Sequence, residues 1–299
     1  MARSHFIGAV LRSAAGQTIS PSGITSKQNF GSATISVAGG DTTVINPGDN
    51  VQNALSAASP GDTVQLASGS WPDISISGIN KAVTLEWLSG ASGAWLGISG
   101  CSGITFVNPR LLNGGIGLLS ITGDSYDLTV TGGEFGPHYA DTGTWMTTVS
   151  PTSPNWFHPG TNGPILFDDC SWHDLTRVEG NHTEGIALWG ARNVTLTFCT
   201  FTNIAVYPIS IDRWPNDLGD GWNTANSSKT ILVEDCTLGG PDTSIGIYTS
   251  DGVTCRRTTF SDGVSCADGT YANNVRFEQC SGAGLPGALS GMSNVTWID

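Results

Sequence analysis

Three short apolar runs end on residues able to hold a sugar: Ile186-Ala187-Leu188-Trp189, Ile209-Ser210-Ile211-Asp212 and Ile245-Gly246-Ile247-Tyr248. In a strand the first and third residues of each run point inward, the second and fourth outward. Trp189, Asp212 and Tyr248 are therefore expected on one outward column. Trp95-Leu96-Gly97-Ile98, Ile116-Gly117-Leu118-Leu119 and Val264-Ser265-Cys266 are read in the same register, which adds Leu119 to that column. Strands lie about 4.8 Å apart in a sheet, so these side chains become close neighbours. Aromatic rings beside a carboxylate suit stacking on a sugar ring and hydrogen bonding to its hydroxyls. The competing reading makes them a satellite core beneath long loops.

Two stretches rich in Trp, His and Asp flank that column, Pro137 to Gly160 and Arg213 to Trp222. Loops of this composition on a rigid scaffold commonly carry binding sites. The binding candidates are Trp189, Asp212, Arg213, Trp214, Trp222 and Tyr248. The segment Glu179-Gly180-Asn181-His182-Thr183-Glu184-Gly185-Ile186 brings Glu179, His182 and Glu184 just ahead of Trp189. Two carboxylates with a histidine can do general acid/base work, so the catalytic candidates are Glu179, His182, Glu184 and Asp212. The alternative is that they are turn residues bonding backbone amides. Asp212, Asp217, Asp220 and Arg213 can mimic a calcium cluster beside a base, but solvated loop acids are the better reading. No metal ligands are assigned and no cofactor is expected, calcium being the one ion left open.

What positions these residues is a repeat. An apolar–polar–apolar run ending on Cys recurs at Cys170, Cys199, Cys236 and Cys280, with Thr258, Gly133, Pro109, Leu88 and Gly69 at the Cys position of weaker copies. Successive spacings of 19, 21, 24, 37, 29, 37, 22 and 22 residues fit a β-solenoid coil with longer loops inserted in some turns. A leucine-rich repeat of similar period would show L-x-x-L-x-L and a helical segment, and neither occurs. The fold class expected is all-β, a right-handed parallel β-helix of about nine to ten coils. The repeated cysteines then stack inside as small apolar side chains, favouring free thiols; with seven in all, a complete disulfide framework would leave one over. Asp168-Asp169 falls in the Cys strand where Glu234-Asp235 and Glu278-Gln279 recur, and reads as a turn feature.

Ahead of the first coil, Val51, Ala54, Leu55 and Ala58 are apolar at helical spacing, with Asp49 or Asn50 as N-cap and Pro60-Gly61-Asp62 as the stop. Such a helix caps the open edge of the first coil. The stretch Asn46-Pro47-Gly48 through Pro60-Gly61-Asp62-Thr63-Val64 resembles the entry to pectate-lyase-like β-helix proteins, a likeness of architecture covering roughly residues 44 to 299. The resemblance implies a superfamily containing lyases, hydrolases, epimerases, phage tailspikes and inactive spacers. His182-Thr183-Glu184-Gly185-Ile186 is similar to the His-x-Asp-Gly-Ile turn of many polysaccharide-acting β-helices, with Glu in place of Asp. Polygalacturonase-like hydrolases carry Gly-His-Gly and Arg-x-Lys, and this sequence has neither.

The first forty residues are Gly/Ser-rich and cannot make a core alone. Gly23, Ile24, Ser26, Phe30 and Gly31 resemble a short Gly-Ile-x-Ser-x-x-x-Phe-Gly segment of tail and virion proteins of bacteriophages infecting actinobacteria. That resemblance implies an attachment arm over 1–42, bound to other virion proteins, followed by a β-helix domain over 43–299. The formal charge of −13 disfavours nucleic acid and anionic membrane as partners, and no run of eighteen apolar residues spans a bilayer. Val295 and Trp297 of the last strand call for a cover, for which a homotrimer is the leading expectation and a fold-back of Trp297 the alternative. The expectation is a virion protein, assembled in the host cytoplasm, that binds host-surface polysaccharide. A polysaccharide lyase or glycoside hydrolase, and a purely structural decoration protein, are the alternatives; whether it is an enzyme at all stays open, leaning to no.

Overall fold

The structure is a computed structural model that describes residues 40–113, 117–123, 125–140, 144–150, 164–177, 183–212, 228–241, 243–265, 272–282 and 292–298. The chain divides into two compact units, 1–38 and 39–299. The first unit, which holds most of the expected arm, lies outside the described residues. The strand Thr42–Ile45 pairs with Thr63–Leu66, so the solenoid already includes Thr42.

The second unit is a right-handed parallel β-helix. Among the described residues its strands form a twelve-stranded, an eight-stranded and a ten-stranded sheet, and every strand pairing is parallel, for example Ile165–Asp168 on Arg192–Thr197 and Thr183–Trp189 on Tyr207–Asp212. Each coil runs from the twelve-stranded sheet through a tight corner into the ten-stranded one, then to the eight-stranded one and back. The capping helix spans Val51–Ala57, with Asn50 as N-cap accepting the Asn53 amide at 2.8 Å. Val51 and Leu55 face inward.

In-register pairing turns each inward sequence position into a column. On the twelve-stranded sheet one column runs Leu85, Phe106, Val130, Phe167, Leu196, Val233, Cys255 and Phe277, all buried. On the ten-stranded sheet Trp172 stacks between Phe135 and Phe201, with centroids 4.9 Å and 4.6 Å away. Its indole N–H donates to Thr147 Oγ1 at 2.8 Å, which satisfies the one polar atom in that stack.

The tight corner explains the cysteine repeat. From Pro109 onward the residue before the Cys-type position adopts positive φ: Asn108, Gly132, Asp169, Phe198, Asp235, Arg257 and Gln279. At the four cysteines of this column, Cys170, Cys199, Cys236 and Cys280, the Sγ contacts two backbone carbonyls. Cys199 reaches Phe167 O and Thr197 O, and Cys236 reaches Leu196 O and Glu234 O. Thr258 fills the same place, donating Oγ1 to Val233 O and Arg256 O. A thiol or hydroxyl is suited here because it is small and can still donate. All the described cysteines are free, and burial pushes the Cys101, Cys199 and Cys255 thiols up. Asp168-Asp169 belongs to this corner: Asp168 accepts Thr197 Oγ1 at 2.7 Å and Asp169 makes the turn.

Two register assignments change. The Cys-type position of the second coil is Ala91, not Leu88, because Ala91 pairs with Gly69; a turn closed by the Ala91 amide on Leu88 O accounts for the shift. On the eight-stranded sheet Leu119 pairs with Leu96 and Thr147, in the same row as Ile186. Leu119 is therefore an inward core residue, three positions from the Trp189 row. Likewise Leu96 and Ile98, not Trp95 and Gly97, face inward. The apolar pairs Leu118-Leu119 and Trp95-Leu96 hid the slips, since sequence alternation does not say which member is buried.

Candidate functional site

The outer face of the eight-stranded sheet brings the three candidates together. Trp189 pairs with Asp212. Ile211 pairs with Ile247, and the Tyr248 amide donates to Ile211 O at 2.8 Å, which extends the row to Tyr248. All three are half-buried. The Asp212 carboxylate is oriented by the Thr249 amide, which donates to Oδ1 at 3.3 Å. The Ser228 hydroxyl, buried in the corner behind it, donates to Asp212 O at 2.6 Å. Inward Ile209, Ile211, Ile245 and Ile247 are fully buried and hold these strands flat.

Tyr248 does not stand straight out. A Cβ added at Gly246 would come within 2.9 Å of its ring, so the ring folds back along its own strand over that glycine. There it meets Tyr207 edge-to-face, with centroids 6.1 Å apart. Trp95 makes the same fold over Gly97 on an earlier coil, 2.1 Å from where a Cβ would sit. Tyr207 was not among the expected site residues. Its signal was present as an aromatic two residues before Ile209, but the alternation rule assigned no role to that place.

Glu184 lies in the strand Thr183–Trp189, with its side chain only 5% exposed. It pairs with Trp145 on one side and Tyr207 on the other. Its row and that of Asp212 are five residues apart along the strands, roughly 16 Å at about 3.3 Å per residue. Paired-carboxylate glycoside hydrolysis uses a separation of about 5 to 9.5 Å, so these two carboxylates sit in distinct rows and not as one acid–base pair. Glu179, His182, Arg213, Trp214 and Trp222, and with them Asp217 and Asp220 of the calcium-like arrangement, lie outside the described residues. Among the described residues, no three His, Cys, Asp or Glu side chains come together to hold a metal ion.

The inserted stretches leave from this same face. Residues 151–163 follow the strand Thr144–Val149, and 213–227 follow Tyr207–Asp212. Both are thus attached beside the Trp189/Asp212 row.

A family model described as a right handed beta helix region matches residues 157–288. No curated protein matches the chain. Among solved structures, a polygalacturonase from Erwinia carotovora ssp. carotovora is 10% identical with a TM-score of 0.46, the alignment covering 87% of this chain and 94% of that one. The pectate lyase Pel9A is 10% identical with a TM-score of 0.45, covering 86% and 79%. An alginate lyase from Paenibacillus sp. str. FPU-7 is 13% identical with a TM-score of 0.40, covering 87% and 98%. The fold assignment rests on the strand register given above.

Proposed function

We propose that this chain is a bacteriophage virion protein whose β-helix binds host-surface glycan through the outer face of the eight-stranded sheet. The observation that supports the reading is the Trp189–Asp212–Tyr248 row with Tyr207 against it: rings and an oriented carboxylate on a flat, rigid surface. Such a set offers stacking to a sugar face and an acceptor to its hydroxyls. The virion assignment draws on Gly23, Ile24, Ser26, Phe30 and Gly31, with residues 1–42 as the arm that engages other virion proteins and a homotrimer as the assembled form. The test is binding to actinobacterial cell-wall polysaccharide by the wild type and by Trp189→Ala and Tyr248→Ala. Each truncation is expected to weaken binding by about 1 kcal/mol or more, the scale of an aromatic pair. Unchanged binding in both variants makes the face structural.

A polysaccharide lyase or glycoside hydrolase on the same face is the second reading, and the observation favouring it is Glu184, a buried carboxylate in the Tyr207 row. New reducing or unsaturated ends released from the bound polysaccharide, and lost in Glu184→Gln, distinguish it from binding alone. A protein that neither binds nor cleaves is a decoration protein.

A further inference from the structure

The sheet that carries the aromatic row extends well beyond it. Its eight strands, about 4.8 Å apart, make a face roughly 34 Å long that runs parallel to the solenoid axis. Two rows of side chains point outward along it. On the earlier coils they are Ser75, Ser77, Ser99, Ser120, Thr122 and Thr148. On the later coils they become Ala187, Ser210 and Gly246, all three buried, beside the half-buried Trp189, Asp212 and Tyr248. Among the described residues of these two rows there is no Lys or Arg, and Asp212 is the one charged group.

The described cations are placed elsewhere. Arg110 pairs with Glu134 on the ten-stranded sheet, and Arg177 ends the strand Ser171–Arg177 of that same sheet. Arg256 pairs with Glu234 and Glu278, Arg276 with Glu278, and Arg257 with Glu234 and Asp235, around the twelve-stranded sheet. Lys81 bonds to Ser56 O and Ala58 O at the end of the helix. Arg192 and Lys229 begin strands of the twelve-stranded sheet, across the corner from the face.

From this placement we infer that the face is a track for an uncharged polysaccharide lying along the solenoid axis, and that it rejects polyuronates. The inference rests on the saccharide reading above and names the substrate class. A neutral chain exchanges its water hydrogen bonds for those of serine and threonine hydroxyls and meets the rings at the later coils. A polyuronate would bring one carboxylate per sugar onto two rows whose described residues offer no countercharge, next to Asp212 and the buried Glu184. Desolvating an unpaired charge is costly, and like charges brought together discriminate strongly against the wrong partner. The formal charge of −13 adds a repulsive field at low ionic strength.

The test uses the full chain. Actinobacterial cell-wall polysaccharide is split by anion exchange into neutral and acidic fractions, and polygalacturonate serves as a defined polyuronate. The expected result is binding to the neutral fraction at least tenfold tighter than to polygalacturonate at low salt, with little change on raising the salt. A double variant, S120K and T148K, is expected to raise polygalacturonate binding several-fold, because the substituted positions are half-exposed and on the track. Polygalacturonate binding as tight as neutral binding by the wild type overturns the charge inference alone. Lysines that leave polygalacturonate binding unchanged count against the track as the place where polymer lies. Absence of binding to all three materials overturns the saccharide reading on which the inference rests.

Discussion

Phe198 has φ of +54° and is 56% exposed, a combination that nothing in its side chain favours. Its column neighbours Asn108, Asp169 and Asp235 hold the same left-handed conformation with side chains that tolerate it. Thr230 is a similar case at φ +57°, in a column shared with Asn193, Gly252 and Asn274. Phe198→Asn and Thr230→Asn are each expected to stabilise the protein by about 1 kcal/mol, read as a higher urea midpoint. Destabilisation by either would mean that these side chains make contacts worth more than the backbone strain. A second residue-scale outcome concerns the thiols. Cys101, Cys170, Cys199, Cys236 and Cys255 are buried, and burial keeps a dissolved reagent from reaching their sulfur atoms. They are expected to stay unmodified by a thiol reagent in native protein, with half-buried Cys280 reacting ahead of them, as mapped by mass spectrometry.

At the scale of elements, the aromatic stack of the ten-stranded sheet is the most sensitive point. Trp172 is fully buried between two rings and bonded to Thr147, so Trp172→Ala is expected to cost about 3–5 kcal/mol. Thr147→Val, which orphans the indole N–H, is expected to cost about 1–3 kcal/mol. The later coils of the twelve-stranded sheet carry a charge ladder instead. Hydrogen bonds from Arg257 hold the Asp235 carboxyl below its ordinary range, and those from Arg256 do the same for Glu278. A carboxyl depressed in the folded state lends stability that is complete above its unfolded pKa and lost as pH falls through the folded one. Thermal stability should therefore drop as pH falls below about 4, the usual carboxylate range, and Glu278→Gln should flatten that decline. Much of this was legible in the sequence: the spacing of Cys170, Cys199, Cys236 and Cys280 fixed the coil length, and Asn50 and Val51–Leu55 the cap. The slip at Leu119 was not, because adjacent apolar residues leave the inward one undecided. Nor was Tyr207, since folding Tyr248 back over Gly246 depends on the absence of a Cβ on the neighbouring position.

For the whole molecule, the contiguous core of the 39–299 unit makes it a self-sufficient folding unit. Deleting residues 1–38 should leave a soluble β-helix with the melting temperature of the full chain, and the proposed virion role requires that incorporation into particles is then lost. Normal incorporation of the truncated protein would remove the arm from the proposal. Trp297 is the in-register partner of Phe277 in the last described strand, stacks on it at 4.2 Å and is 36% exposed, which is column packing and not the fold-back expected as the alternative to a trimer. A monomeric mass by light scattering at micromolar concentration would then leave the trimer without support in solution.

The parallel, in-register stacking of strands has a mechanical meaning. Every hydrogen bond between coils points along the solenoid axis, while each strand runs across it. A pull applied at the two ends of the β-helix therefore loads one rung of bonds at a time and peels the molecule like a zip instead of shearing a whole sheet at once. Extension traces in an optical trap should show a ladder of small steps, each releasing the contour of one coil. For the regular 22-residue coils, from Cys236 to Thr258 and Thr258 to Cys280, that is about 75 Å at roughly 3.4 Å per residue. The 37-residue coils, from Gly133 to Cys170 and Cys199 to Cys236, should appear as the two longest steps, and a single large rip would mean that the coils yield together.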